Sequence, residues 1–191
     1  MALRTPDRGF TLLEMLMITT VFAIVAGIGM PLFNDITDSI KLGQAARAVE
    51  RELQTARLGA VSANQPLRVR FNCNSAGEYR IVELVGTPSV PASADSATDR
   101  CSTTLYPFPA GDRNPLTRPN NDGPLRYLPA LTTFTTSTTI EFWPDGTAHM
   151  SSGSVNPWPS IASTGTTIVL TRKGKTKTIL VNGIGKVQLL P

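Results

Sequence analysis

The chain is poor in the residues that do chemistry. Its 191 residues include one histidine and two cysteines, with 6% aromatic and 17% charged side chains. One histidine and two cysteines are too few for a zinc centre of the usual four nitrogen and sulfur ligands. His149 is followed by serines, yet no acid stands where a hydrolase triad would need one, so it reads as a surface histidine beside a turn. Asp112, Asn114, Asn120, Asn121 and Asp122 offer oxygen ligands without the spacing of a calcium loop, and turn chemistry accounts for them. No glycine-rich cradle follows a strand, which argues against nucleotide use. The expectation is a chain with no catalytic residue, no metal site and no cofactor. Its net charge of +4 is a mild excess that permits contact with anionic lipid or nucleic acid without requiring either.

What the sequence does have is one long apolar run. From Phe10 to Met30 its 21 residues carry a single charge, Glu14. As a helix rising ~1.5 Å per residue, the run reaches about 30 Å, the thickness of a bilayer's hydrocarbon core. Arg4 and Arg8 precede it, which places the N-terminus on the cytoplasmic side and exports the bulk of the chain. An ordinary secretory signal would carry its small-residue cleavage site after the apolar region. Here a polar helical pattern continues past Pro31 instead, so the apolar helix is expected to remain in the mature protein. A carboxylate in such a run costs about 2.5 to 3.5 kcal/mol on insertion scales, so Glu14 either snorkels to the headgroups or has a partner.

Beyond Pro31, Leu42, Ala46, Val49, Leu53, Ala56 and Ala60 recur at spacings of four and three, one stripe of a helix that runs to about Asn64. Arg47, Glu50, Arg51 and Arg57 fall mostly off that stripe, toward solvent or neighbours. Asn64-Gln65-Pro66 ends the helix, and the period changes to two. Leu67, Val69 and Phe71 alternate with Arg68 and Arg70, then Tyr79 to Val85 forms a second β-rich run, predicting a hairpin with a basic solvent face. Residues 86–138 hold eight of the chain's 15 prolines and read as a long loop region, a functional surface or partly disordered, with short strands near 103–106 and 125–127. Thr139 to Trp143, Thr166 to Arg172, Lys175 to Val181 and Lys186 to Leu190 read as strands, with turns at Pro144-Asp145-Gly146 and Lys173-Gly174. The order predicts an α+β fold: a long helix followed by an antiparallel sheet. Cys73 and Cys101 both fall on the exported side, where a disulfide between them is expected over two unpaired thiols.

Gly9-Phe10-Thr11-Leu12-Leu13-Glu14 resembles the processing site of type IV pilins and pseudopilins. Ile140-Glu141-Phe142-Trp143-Pro144-Asp145-Gly146, Ile168-Val169-Leu170, Val181-Asn182-Gly183 and Gly185-Lys186-Val187 are similar to the GspH/FimT branch of that family, minor pilins of type IV pili and a minor pseudopilin of type II secretion; residues 86–138 carry no family-specific match. The resemblance implies that a prepilin peptidase cuts between Gly9 and Phe10 and that the amino group of Phe10 is methylated. It implies that Glu14 attracts the charged N-terminus of a neighbouring subunit during assembly, which supplies the missing partner for its charge. The implied organisation is a leader at 1–9, a membrane or filament-core helix at 10–30, an amphipathic helix at 31–64 and a β-rich domain at 65–191. The implied location is the bacterial inner membrane, single-pass, with the C-terminal domain periplasmic until the subunit joins other pilins in a pilus or pseudopilus.

One binding signal is basic. Arg172, Lys173, Lys175 and Lys177 surround the last hairpin's turn and Lys186 follows, a set that could hold phosphates without reading sequence or could simply discourage edge-to-edge aggregation. Some FimT-like proteins bind DNA through a C-terminal Gly-Arg-x-Arg motif; the matching stretch here, Gly185-Lys186-Val187-Gln188, lacks both arginines. A structural subunit therefore stands ahead of a DNA-uptake factor, and an exported enzyme on an uncleaved anchor comes last.

Overall fold

The computed structural model describes residues 9–84, 98–109, 121–150 and 158–191. The chain divides into two compact units, one up to Ser39 and one from Ile40 onward. Helix α1 (Leu12–Ala63) supplies all regular structure of the first unit and the opening element of the second.

In the first unit α1 begins at a cap that its sequence spells out. Thr11 precedes the first helical residue, and its Oγ1 accepts from the Glu14 backbone N–H at 3.2 Å. Glu14 thus occupies the third helical position, where a carboxylate also meets the positive end of the helix dipole. Thr19 and Thr20 donate their hydroxyls to carbonyls one turn back at 2.8–3.0 Å, so these two hydroxyls are satisfied within the helix. Its large apolar side chains face outward: Phe10, Leu12, Phe22 and Ile28 are each more than 70% exposed.

In the second unit the predicted stripe is buried throughout: Leu42, Ala46, Val49, Leu53, Ala56 and Ala60, joined by Ala45. The helix stops because Asn64 takes a left-handed conformation (φ 50°), letting the Gln65 N–H reach the Ala60 carbonyl, and Pro66 cannot continue the ladder. Nine strands follow among the described residues: β1 (Leu67–Phe71), β2 (Glu78–Glu83), β3 (Arg126–Tyr127), β4 (Thr132–Thr136), β5 (Ile140–Phe142), β6 (Ala148–Met150), β7 (Thr166–Arg172), β8 (Lys175–Val181) and β9 (Val187–Leu189). They form two antiparallel sheets rather than the single sheet expected, ordered β3-β2-β1-β5-β6 and β4-β7-β8-β9. Leu67, Val69, Ile140 and Phe142 of the first and Ile168, Leu170, Ile179 and Val181 of the second close one core with the helix stripe. Phe134 of β4 meets Phe71 and Tyr79 edge-on at 4.9 and 5.8 Å, fastening one sheet to the other.

The hairpin of β7 and β8 is as predicted, with Lys173 and Gly174 both at positive φ, the two-residue turn whose twist matches paired strands. Three expectations fail. The stretch near 103–106 is a turn in which the Tyr106 N–H returns to the Ser102 carbonyl, not a strand. The region read as a long loop, 86–138, holds the strand expected near 125–127, which is β3, but also contributes a 3-10 helix (Thr98–Cys101) and β4, an edge of the second sheet, neither of which was expected. Finally, the first hairpin has no basic solvent face: Arg68 is buried, and so is Arg80 on the strand opposite.

Candidate functional site

The processing motif lies at the open end of α1. Phe10 and Glu14 are exposed, and among the described residues nothing stands within 4 Å of where a side chain on Gly9 would begin.

The outer face of the first sheet is where the sequence misleads. Arg68 on β1 lies directly across from Glu141 on β5, and the two form an ion pair at 2.5 Å with both side chains at most 4% exposed. Trp158 covers the guanidinium at 4.1 Å from its ring centroid, and the Trp143 indole N–H donates to the other Glu141 oxygen at 3.3 Å. Next to them Arg80, 0% exposed, donates to four backbone carbonyls: Gly123 at 2.8 Å, Arg100 at 3.1 Å, Ser102 at 3.3 Å and Tyr106 at 2.6 Å. Burial pulls this guanidinium below its usual range, and the nearby Asp122 carboxylate opposes that. Asp122 in turn pairs with Arg100 at 2.8 Å and accepts the Glu83 N–H at 2.7 Å; burial raises its carboxyl while Arg100 resists. The segment carrying Arg100 is held by the disulfide expected, Cys73 to Cys101, with Cα atoms 5.5 Å apart, and by Asn74 donating to the Cys101 carbonyl. So Asp122, read as a turn residue, is a buried partner. Asp112, Asn114 and Asn120 lie outside the described residues, and no group of three potential metal ligands occurs among those described.

The basic hairpin is not the patch expected. Arg172 is 4% exposed and donates to the Ala130 carbonyl and to Thr132 Oγ1, tying β7 to β4. Its position repeats the period of two set by Ile168 and Leu170, a signal the sequence did contain. Lys175 and Lys177 likewise share the face of Ile179 and Val181 and are half-buried; Lys173 and Lys186 are exposed. The five residues therefore do not make one solvent-facing cluster.

Arg57 was assigned to the solvent side of α1 and is instead a fastener. Its Nε donates to the Gly146 carbonyl and its Nη2 to the Ile184 carbonyl, both at 3.1 Å. Gly185 sits beneath it at φ +73°, where a Cβ would come within 2.2 Å of the Gly146 oxygen, so no other residue fits. Two grooves flank the helix here, one of about 420 Å³ beside Leu58 and Ile184 and one of about 510 Å³ between Gly59 and Phe108. His149 is also not a plain surface histidine: it is half-buried, and both ring nitrogens have partners.

Residues 45–185 match the family described as type II transport protein GspH. This chain belongs to the GspH family. Residues 4–30 match the prokaryotic N-terminal methylation motif, so the chain is a pilin-like subunit of the minor pilin or pseudopilin kind. The GspH match runs through 86–138, the stretch where sequence reading found no family signature. A pilin-like protein of Thermus thermophilus, PilA1, is 32% identical over 72 residues, 38% of this chain; the chain spans 45% of the length of that relative. Among solved structures, the type IV minor pilin FimU of Pseudomonas aeruginosa shares 17% identity at a TM-score of 0.48, covering 82% of this chain and 92% of FimU. The minor pseudopilin EpsH of the Vibrio cholerae type 2 secretion system shares 13% identity at a TM-score of 0.44, covering 78% of this chain and 96% of EpsH. In this GspH-family chain the Gly146, Gly183 and Gly185 positions of the sequence motifs are the ones that crowd around Arg57 and the Ile161 carbonyl.

Proposed function

We propose that this chain is a minor pilin that enters the tip or initiating complex of a type IV pilus-like filament without catalysing any reaction. The observation that carries the reading is the junction of a methylation motif with a helix whose first part, up to Met30, turns its large apolar side chains outward, ahead of a GspH-type β domain. The leader is residues 1–9; the prepilin peptidase cuts after Gly9 on the cytoplasmic side, and Phe10 becomes the methylated N-terminus. Residues 10–30 hold the subunit in the inner membrane and later pack among other pilin helices, 31–64 continue as the amphipathic half, and 65–191 form the periplasmic domain. Glu14 keeps its charge in lipid by pairing with the amino terminus of a neighbouring subunit.

The decisive experiment is mass spectrometry of the N-terminal residue of the protein from its native host's membranes. N-methylated Phe10 is the expected start; a start at Met1, Ala2 or beyond Met30 overturns the reading. Glu14→Ala should leave membrane insertion intact and reduce incorporation into filaments, and normal incorporation would count against the pairing role. The family's description favours a second reading, a minor pseudopilin of a type II secretion system. Cross-linking in the host, followed by identification of the partner filament, separates the two. A DNA-uptake role is weakened by the burial of Arg172. Absence of any gel shift at low salt would remove it.

A further inference from the structure

His149 is the chain's only histidine, and the chain's two tryptophans both touch it. The ring stacks on Trp143 with centroids 4.5 Å apart and planes 18° from parallel. Nδ1 lies 2.7 Å from the Trp158 carbonyl oxygen, which can only accept, so Nδ1 carries a hydrogen. On the other side Nε2 lies 3.0 Å from Thr147 Oγ1. Thr147 has one hydroxyl hydrogen, and Asp145 Oδ1 at 2.6 Å and Nε2 compete for it. Given to Asp145, it leaves Nε2 facing an oxygen lone pair. In that arrangement both ring nitrogens face acceptors, which only the doubly protonated imidazolium serves.

We propose that His149 is a proton-operated switch for the turn between β5 and β6. With Nε2 protonated, the chain from Asp145 through Thr147 and His149 to the Trp158 carbonyl is complete. When Nε2 gives its proton to solvent, its lone pair faces a lone pair, and the Thr147 hydroxyl swings its hydrogen from Asp145 to Nε2. Asp145 then keeps only the Thr147 backbone N–H, at 2.9 Å. Among the described residues the charged groups around the ring are Asp145 from the turn, Glu141 as its cross-strand neighbour on β5, and Arg68 bound to Glu141 beneath Trp158. Hydrogen bonds from Thr147, the side-chain one first, hold the Asp145 carboxyl below its usual range, which keeps it an acceptor. The same turn presents the Gly146 carbonyl to Arg57 of α1, so the ring proton bears on the point where the helix is fastened.

The test is a pH series by NMR on the full chain in detergent, where a single histidine gives one set of ring signals. The neutral ring should be the Nδ1–H tautomer, and the Thr147 and Asp145 side-chain signals should move at the midpoint of the ring. A neutral Nε2–H ring, or Thr147 signals that ignore the titration, would overturn the switch. In Thr147→Val, which keeps the backbone N–H, the ring still titrates while the Asp145 response to it is lost. An unchanged Asp145 response would also overturn the proposal, and the wild-type tautomer decides the matter should the variant not fold.

Discussion

The two faces of the first sheet are both buried, and they are built from opposite chemistry. Toward α1 the sheet presents Leu67, Val69, Ile140 and Phe142; away from it β1, β2 and β5 present Arg68, Arg80 and Glu141. The apolar face gains by leaving water. The charged face gains nothing from burial itself and stands only because each guanidinium finds carbonyls or a carboxylate at hydrogen-bond distance. Burial, then, marks where the chain is covered rather than where it is greasy.

The comparison is tested first by removing one member from each face. Arg80→Met keeps the bulk and abandons four carbonyls, and it should cost about 3 to 5 kcal/mol, as much as Phe142→Ala, which empties a core site. Urea unfolding of the purified chain in detergent measures both; an Arg80→Met variant of near wild-type stability would mean that water replaces the guanidinium readily. Next, replacing Cys73 and Cys101 together by serine loosens the cover on the outer face and should cost about 3.5 kcal/mol for a loop of this length, with no loss of the apolar face. Glu141→Gln should then cost about 3 kcal/mol by leaving Arg68 uncompensated, whereas the double variant Arg68→Met with Glu141→Leu should recover most of it. Equal losses in single and double variants would argue that the pair does more than satisfy itself.

The smallest effect is a pH dependence on the inner side. Burial, with Glu52 adding to it, pushes the Tyr79 phenol up from 10.0 to about 12. The folded state therefore holds this proton after the unfolded chain has released it. Stability present below pH ~10 should fall by roughly 2 kcal/mol as the pH rises to ~12, and Tyr79→Phe should flatten that slope.

The inner face was legible in the sequence because its determinants are local. A stripe at spacings of three and four, alternation along β1, the short strand run at β5, and the Asn64-Gln65-Pro66 stop of α1 each act within a few residues. Arg172 was legible too, since it extends the period of Ile168 and Leu170, but a basic residue beside lysines invites grouping by charge instead. Arg68 and Arg80 were not legible. What hides them comes from Glu141, Trp158, Gly123 and the turn after Cys101, segments distant along the chain, and no local pattern states that those segments will close over the sheet. The same reason concealed β4, whose run of threonines around Phe134 pairs with β7.

Arg57 makes the helix a coincidence detector. One guanidinium reaches the carbonyl of Gly146 in one turn and that of Ile184 in another, turns that belong to different sheets. The two bonds share one guanidinium, and Gly185 packs against the Gly146 carbonyl, so a single side chain ties the helix to both sheets. A fault in either turn is thereby felt at the other, and a subunit with one sheet misassembled would carry that error to the surface of its own helix.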